Sequence, residues 1–290
     1  MTHVSVLVGP VLEYLAIRPD GIYVDATFGG GGHSRAILRH LTNGRLIAID
    51  ADPNATARAA EIGDPRFTYM QANFRDLGRV LDRAGLACVD GVLFDLGVSS
   101  MQLDDPERGF SLAAPVTLDM RMDPALGRSA YDVLATASEG ELADIFFQYG
   151  EERSARRIAR AIVSRRASGE LPSTAAEFAG LVAGVVRRPG RRERIHPATR
   201  VFQALRIAAN DELDALREGL HGAIGRLRSA GRVVAISFHS LEDRIVKHTF
   251  RDDERLDVLT KRPIKPADDE VEQNRRARSA KLRAAQRKAS

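Results

Sequence analysis

The sequence predicts a doubly wound α/β fold, a Rossmann-like parallel sheet covered by helices, into which an all-helical domain is inserted. Three observations predict it. Short apolar runs alternate with amphipathic stretches through about the first hundred residues, that rhythm stops after Leu96, and one apolar run returns at Arg232.

In chain order, residues 23–28 read as a strand running into a glycine cluster, 33–41 as a helix, and Arg45–Asp50 as a second strand. Residues 53–62 follow as a helix opened by Pro53, whose fixed φ suits a first turn. Phe67–Gln71 is a short strand, 74–84 a helix, and 89–96 a strongly apolar strand ending beside an acid. Three β-α-β units in succession place any ligand at the carboxyl ends of the strands. From Gln102 to Arg206 the patterns are helical: Leu142, Ile145, Phe146, Tyr149, Ile158 and Ile162 form a stripe interrupted near Gly150. Ser173 is placed to cap a helix over 173–186, with Glu177 in its first turns. Residues 197–229 read as one long helical region and 232–238 as the returning strand. The charged segment from Asp252 reads as a strand pair followed by a loose end. The expected organisation is a discontinuous core, 1–101 and 207–290, around an inserted domain at 102–206.

At 290 residues, 44% hydrophobic and 28% charged, the chain has the composition of a globular protein with a sizeable core. No run approaches the ~20 apolar residues needed to cross a bilayer, and the N-terminus lacks the pattern of a secretory signal. A cytoplasmic protein with no membrane partner is expected. The lone Cys88 excludes an internal disulfide, and the seven histidines are scattered without ligand spacing, so no metal is expected.

Charge is unevenly spread. The net charge is +4, but residues 150–206 carry 13 Arg against 5 Glu, and residues 261–290 carry 10 Lys and Arg against 4 Asp and Glu. A single cluster reads as a solvated face; two clusters beside a nucleotide-type pocket point to RNA, whose phosphates such clusters neutralise. Arg187, Arg188, Arg191, Arg192, Arg194 and Arg200 are the candidate RNA contacts.

That pocket begins with Asp25, followed by the run Gly29, Gly30, Gly31, Gly32, between the first strand and first helix. Glycine permits positive φ and close approach of main-chain N–H groups to a cofactor. The dinucleotide spacing G-x-G-x-x-G fails, because its last position falls on Ser34 or Arg35. An acid, a turn and a glycine cluster suit S-adenosylmethionine, whose cationic end tolerates a carboxylate such as Asp25. Asp50 ends the second strand, 21 positions past Gly29, where it can accept both ribose hydroxyls or, with Asp52 and Pro53, cap a helix; the glycine run favours the ribose. Phe74 can lie on the adenine or pack in the core.

Methyl transfer from a sulfonium asks the protein chiefly to position the nucleophile. Carbon-5 methylation of a pyrimidine would use a cysteine, and Cys88 precedes the fourth strand at its wrong end. An amino target fits better, and Asp95, ending that strand, is the best-placed acceptor for its N–H groups. Asp95 can instead contact the cofactor or only fix its loop. His239, after the returning strand, can relay the proton or be structural, and Phe238 can stack on the base.

Taken together, the runs from Asp25 to Ser34, Leu46 to Asp50, Asp95 to Ser100 with Gln102 to Asp105, Glu107 to Ser111 and Leu118 to Met122 resemble one family. So do Tyr149-Gly150-Glu151-Glu152-Arg153, His196 to Arg200 with Phe202 to Arg206, and Ser237 to Arg244. The chain resembles the MraW family of 16S rRNA cytosine-N4 methyltransferases over nearly its whole length. The resemblance implies a class I S-adenosylmethionine-dependent core, with the insertion as the substrate-recognition domain. It also implies, as partner, 16S rRNA of the small ribosomal subunit, methylated on a cytidine near the decoding centre. It implies cofactor contacts at Gly31, Gly32, His33, Asp50, Phe74, Asp95 and Gln102. One departure is Asn274-Arg275-Arg276, where the family reads Asn-Pro-Arg. The competing readings are another methyl acceptor, which leaves the arginine-rich insertion unexplained, and a non-catalytic RNA-binding assembly factor, which would tolerate loss of the glycine run or Asp50.

Overall fold

Alternation of strand and helix begins one element earlier than the sequence suggests: α1 (Val8–Leu15) precedes β1 (Ile22–Asp25), α2 (Gly32–Leu38), β2 (Arg45–Asp50), α3 (Ala55–Ala60), β3 (Phe67–Gln71), α4 (Leu77–Arg83) and β4 (Val89–Asp95). Next come the helices α5 (Ser100–Asp104), α6 (Ala130–Thr136), α7 (Glu139–Gln148), α8 (Ala155–Ala167), α9 (Ala175–Val186), α10 (Thr199–Asn210) and α11 (Glu212–Arg226). The chain closes with β5 (Leu227–Ser237), α12 (Ser240–Asp252), β6 (Leu256–Val258), α13 (Asp268–Gln273) and β7 (Lys281–Arg287). The computed structural model describes residues 5–186 and 196–289. The chain divides into two units, Met1–Ser99 with Leu213–Ser290, and Ser100–Glu212.

In the first unit one sheet runs in the order β3-β2-β1-β4-β5-β7-β6. β1 to β5 are parallel, and β7 is antiparallel to both its neighbours. This is the doubly wound, Rossmann-like sheet expected. Strand order reverses between β1 and β4, which opens a crevice at their carboxyl ends. Alternate residues bury opposite faces: Val24, Ile47, Ile49, Val92, Phe94 and Val233 in one cluster, Tyr23, Leu46, Leu93, Val234 and Ile236 in the other. Each such side chain contributes about 1.5–3 kcal/mol by leaving water.

The second unit is helical among the described residues apart from a bridge between Thr117 and Thr174. Ser129 and Ser138 open α6 and α7 with capping boxes to Asp132 and Glu141. Leu142, Phe146, Ile158, Ile162, Phe178 and Phe202 are buried, the last two phenylalanines with ring centroids 5.6 Å apart.

Four readings need correction. The first strand stops at Asp25, because the next residues leave the ladder to form the turn, though Ala26 and Phe28 still donate to Leu93 and Ile49. Thr174, not Ser173, caps α9, its hydroxyl accepting from Glu177 N at 3.2 Å. The long helix over 197–229 is two helices, broken where Asp211 takes φ 50° and where β5 begins at Leu227. The tail is not loose: β7 stands between β5 and β6 with Leu282, Ala284 and Ala285 fully buried.

Candidate active site

The glycine turn joins β1 to α2 at the switch point. Gly29 and Gly31 take φ 52° and 75°, in the left-handed region where glycine is at ease. A Cβ on Gly31 would stand 2.7 Å from the Phe28 ring, and one on Gly32 would run into Ser5 Oγ. Main-chain atoms of the turn are pinned from three sides. Gly29 N donates to Asp50 Oδ2 at 2.6 Å, Gly29 O accepts from Arg58 Nε at 3.0 Å, and Gly30 O accepts from Arg35 at 3.0 Å.

Asp25, fully buried at the end of β1, is taken up by the turn itself. It accepts from the Ser34 hydroxyl at 2.7 Å and from Thr27 N at 3.2 Å, and burial raises its carboxyl above the usual range. Its observed role is to hold the loop. Thr27 in turn accepts from Asp95 N at 2.6 Å, tying the ends of β1 and β4 together.

His33 and Asp95 form the polar floor. His33 Nε2 lies 3.3 Å from Asp95 Oδ2, an ion-pair contact outside hydrogen-bond alignment. Burial opposes charge on this imidazole, but the Asp95 and Asp25 carboxylates outweigh it and raise the ring above its ordinary value. His33 Nδ1 and Asp95 Oδ1 are buried and meet no hydrogen-bond partner among the described residues. Such orphaned groups are costly unless a ligand satisfies them.

Asp50, at the end of β2, uses one oxygen for Gly29 N and the other for Asp52 N at 2.9 Å. Burial pushes its carboxyl up to about 6 against those two donors. Each oxygen keeps a lone pair for a further donor. Asn54, the residue before α3, makes no side-chain cap bond, and Asp52 accepts from Asn54 N at 3.0 Å in the turn that leads into the helix. Phe74 packs edge-on against Phe94, centroids 5.8 Å apart, and closely over Gly219, so at least one edge of its ring belongs to the core.

His239 is the cap of α12. Its Nδ1 accepts from Glu242 N at 3.4 Å, its Nε2 lies 3.1 Å from a Glu242 oxygen, and Glu242 also accepts from Phe238 N at 2.8 Å. Nδ1 thus serves the cap, while Nε2 is buried and makes no hydrogen bond among the described residues, so a structural role at the end of β5 is observed and the proton relay stays an expectation. Phe238 is half-buried and borders Gly97. Cys88 precedes β4, at the amino end of the strand, with Arg228 donating to its sulfur at 3.1 Å.

Gln102, on α5, and Arg200, at the start of α10, belong to the second unit; Gln102 is buried and Arg200 exposed. Arg187, Arg188, Arg191, Arg192 and Arg194 lie outside the described residues. Sequence reasoning missed Thr27, Ser34 and Arg58 as the residues that fix the turn. Hydroxyls beside a glycine run were the available signal for the first two.

Residues 1–288 match the profile of the MraW methylase family. A protein of Carboxydothermus hydrogenoformans named ribosomal RNA small subunit methyltransferase H is 49% identical, covering 99% of this chain and 98% of its own length. Proteins of the same name from Thermomicrobium roseum and Thiobacillus denitrificans are each 50% identical, covering 99% and 98% of this chain and 94% and 97% of their own. With a full-length profile match and relatives of this identity, the chain belongs to the MraW methylase family.

Proposed function

We propose that the protein transfers a methyl group from S-adenosylmethionine to the exocyclic N4 of a cytidine in 16S rRNA, near the decoding centre of the small ribosomal subunit, in the cytoplasm. The observation that carries this reading is the convergence of two carboxylates, Asp50 and Asp95, on either side of a pinned glycine turn at the switch point of the sheet. The names of the relatives, small-subunit rRNA methyltransferases, supply the acceptor.

The residues fit such a cofactor. The open lone pairs of Asp50 suit ribose hydroxyls, the glycine turn from Gly29 to Gly32 suits close approach of the main chain, and the orphaned atoms of His33 and Asp95 suit an amino acid end or an amine. Phe74 is the proposed partner of the adenine ring. S-adenosylmethionine supplies, when bound, an electrophilic methyl on a sulfonium. The chain supplies the rest. Cytosine N4 is a poor nucleophile because its lone pair is delocalised into the ring, so an acceptor for its N–H groups favours the tetrahedral nitrogen. Asp95 Oδ1 would be that acceptor and would take the proton released as the N–C bond forms; the bond broken would be methyl–sulfur, with a neutral thioether as the leaving group. The helical unit, with Arg200 and the arginines of residues 187–194, serves substrate recognition.

Purified protein is incubated with methyl-labelled S-adenosylmethionine and small subunits lacking the modification, and nucleosides are read by mass spectrometry. Label on cytosine N4 is expected. Absence of label on subunits and on naked rRNA alike overturns the assignment.

A further inference from the structure

We infer that the outward face of the α7–α8 hairpin holds an unpaired stretch of the RNA substrate, with Arg153 and Arg156 on its phosphates and Phe147 stacked on a base. This rests on the RNA-methylating reading above and names a surface within the second unit that serves it.

The two faces of α8 are sorted completely. Ala155, Ile158, Ala159 and Ile162 are buried at helical spacing, while Arg156, Arg157 and Arg160 are exposed on the other side, with exposed Arg153 in the turn before them. Residues 155–167 contain no acid. Two of these arginines have local employment: Arg157 donates to Val185 O at 2.8 Å, and Arg160 lies 3.7 Å from Glu139. Arg153 and Arg156 make no ion pair among the described residues.

The Arg160–Glu139 contact also fixes the antiparallel register of the hairpin. If residue 139 lies beside 160, the last turn of α7 lies beside the turn that carries Arg153, and Phe147 belongs to that last turn. Phe147 is 63% exposed and the sole aromatic among the exposed large hydrophobic residues described. Glu139 and Glu141 lie at the other end of α7, and exposed Asp144 lies one turn before Phe147. Near Phe147 the exposed acids are Asp144 and Glu151, and the exposed arginines Arg153, Arg156, Arg157 and Arg160 of the turn and α8 outnumber them.

Local electrostatics point the same way. Helix N-termini favour anions, and α6 and α7 supply them with Asp132, Glu139 and Glu141 in their first turns. The first turn of α8 holds Arg156 and no acid; buried Glu152, just before it, is spent on Ser154 N at 2.7 Å. An exposed ring flanked by unpaired guanidiniums matches single-stranded RNA, which proteins bind by stacking bases on aromatic faces and tracking phosphates with cations. A protein partner would be served by Phe147 without needing the arginines.

The test uses the full chain and a fluorescein-labelled 16S rRNA fragment carrying unpaired residues, with affinity followed against salt. R153A/R156A is expected to lower the salt slope by about 1.4, two contacts at about 0.7 each for a single strand. F147A is expected to weaken binding about tenfold or more with the slope unchanged. R153K/R156K restores the slope, and R79A/R83A, exposed arginines of the first unit, leaves it unchanged. Cofactor affinity, read by calorimetry, stays the same in every variant. Unchanged slope and affinity in R153A/R156A and F147A, or an equal fall in R79A/R83A, overturns the hairpin assignment. If the unaltered chain methylates rRNA while those variants bind normally, the hairpin alone is wrong; if it neither binds nor methylates, both readings fall.

Discussion

Burial and main-chain donors pull Asp50 in opposite directions, and burial wins, leaving a carboxyl that titrates near 6. The sign follows directly. Between the ordinary carboxyl value and about 6 the folded chain keeps a proton that the unfolded chain releases, so this group adds stability as pH falls through that window. Cofactor binding has the opposite sign, because only the carboxylate can accept two ribose hydroxyls. Affinity for S-adenosylmethionine is therefore expected to drop about tenfold per unit below pH 6. In Asp50→Asn the affinity should be low throughout and that pH dependence absent; calorimetry between pH 5 and 8 reads both, and a variant with native affinity would remove the ribose assignment. Asp50 and Asp95 were legible in the sequence because each ends an apolar strand at the carboxyl edge. The partnership of His33 with Asp95 was not, since it depends on β1 pairing with β4, which brings the start of α2 beside the end of β4. His239 carries a second signal beside its place after a strand: its three-residue spacing to Glu242 marks the cap of α12.

Among elements, β2 and β3 were legible to the residue, because each is an apolar run bounded by polar or turn residues. The break at Asp211 was hidden because helical periodicity continues on both sides, and the left-handed residue that parts the helices is an aspartate rather than glycine. A strand pair was expected in the tail and forms between β6 and β7, but the place of the last strand was hidden for another reason: the buried residues of 281–287 are Leu282, Arg283, Ala284 and Ala285, a composition that does not announce a strand. Its packing is nonetheless complete. Leu282→Ala is expected to cost about 2–5 kcal/mol, seen as a lower urea midpoint with the slope of the transition unchanged. A loss below about 1 kcal/mol would mean that β7 adds little to the sheet.

For the whole molecule, cofactor binding should be a stability term. A ligand present at ~100 times its dissociation constant adds about 2.7 kcal/mol to a fold that alone binds it. The melting temperature should rise with S-adenosylmethionine accordingly. Amide exchange should slow at Gly29 to His33 and around Asp50. Equal slowing throughout α8 and α9 would mean a global effect instead of a site. The charge distribution could be read from the sequence at this scale, since an arginine excess in residues 150–206 survives any folding of the chain.

The sheet is also assembled out of order. β7 is made after β6 yet stands between β6 and β5, so β5 keeps one bare edge until residues 281–287 have left the ribosomal exit tunnel. A nascent chain with every proposed cofactor contact already synthesised still lacks the strand that closes its sheet. Translation arrested before that point leaves one edge of β5 with unpaired main-chain N–H and C=O groups, the kind of edge onto which another strand can pair.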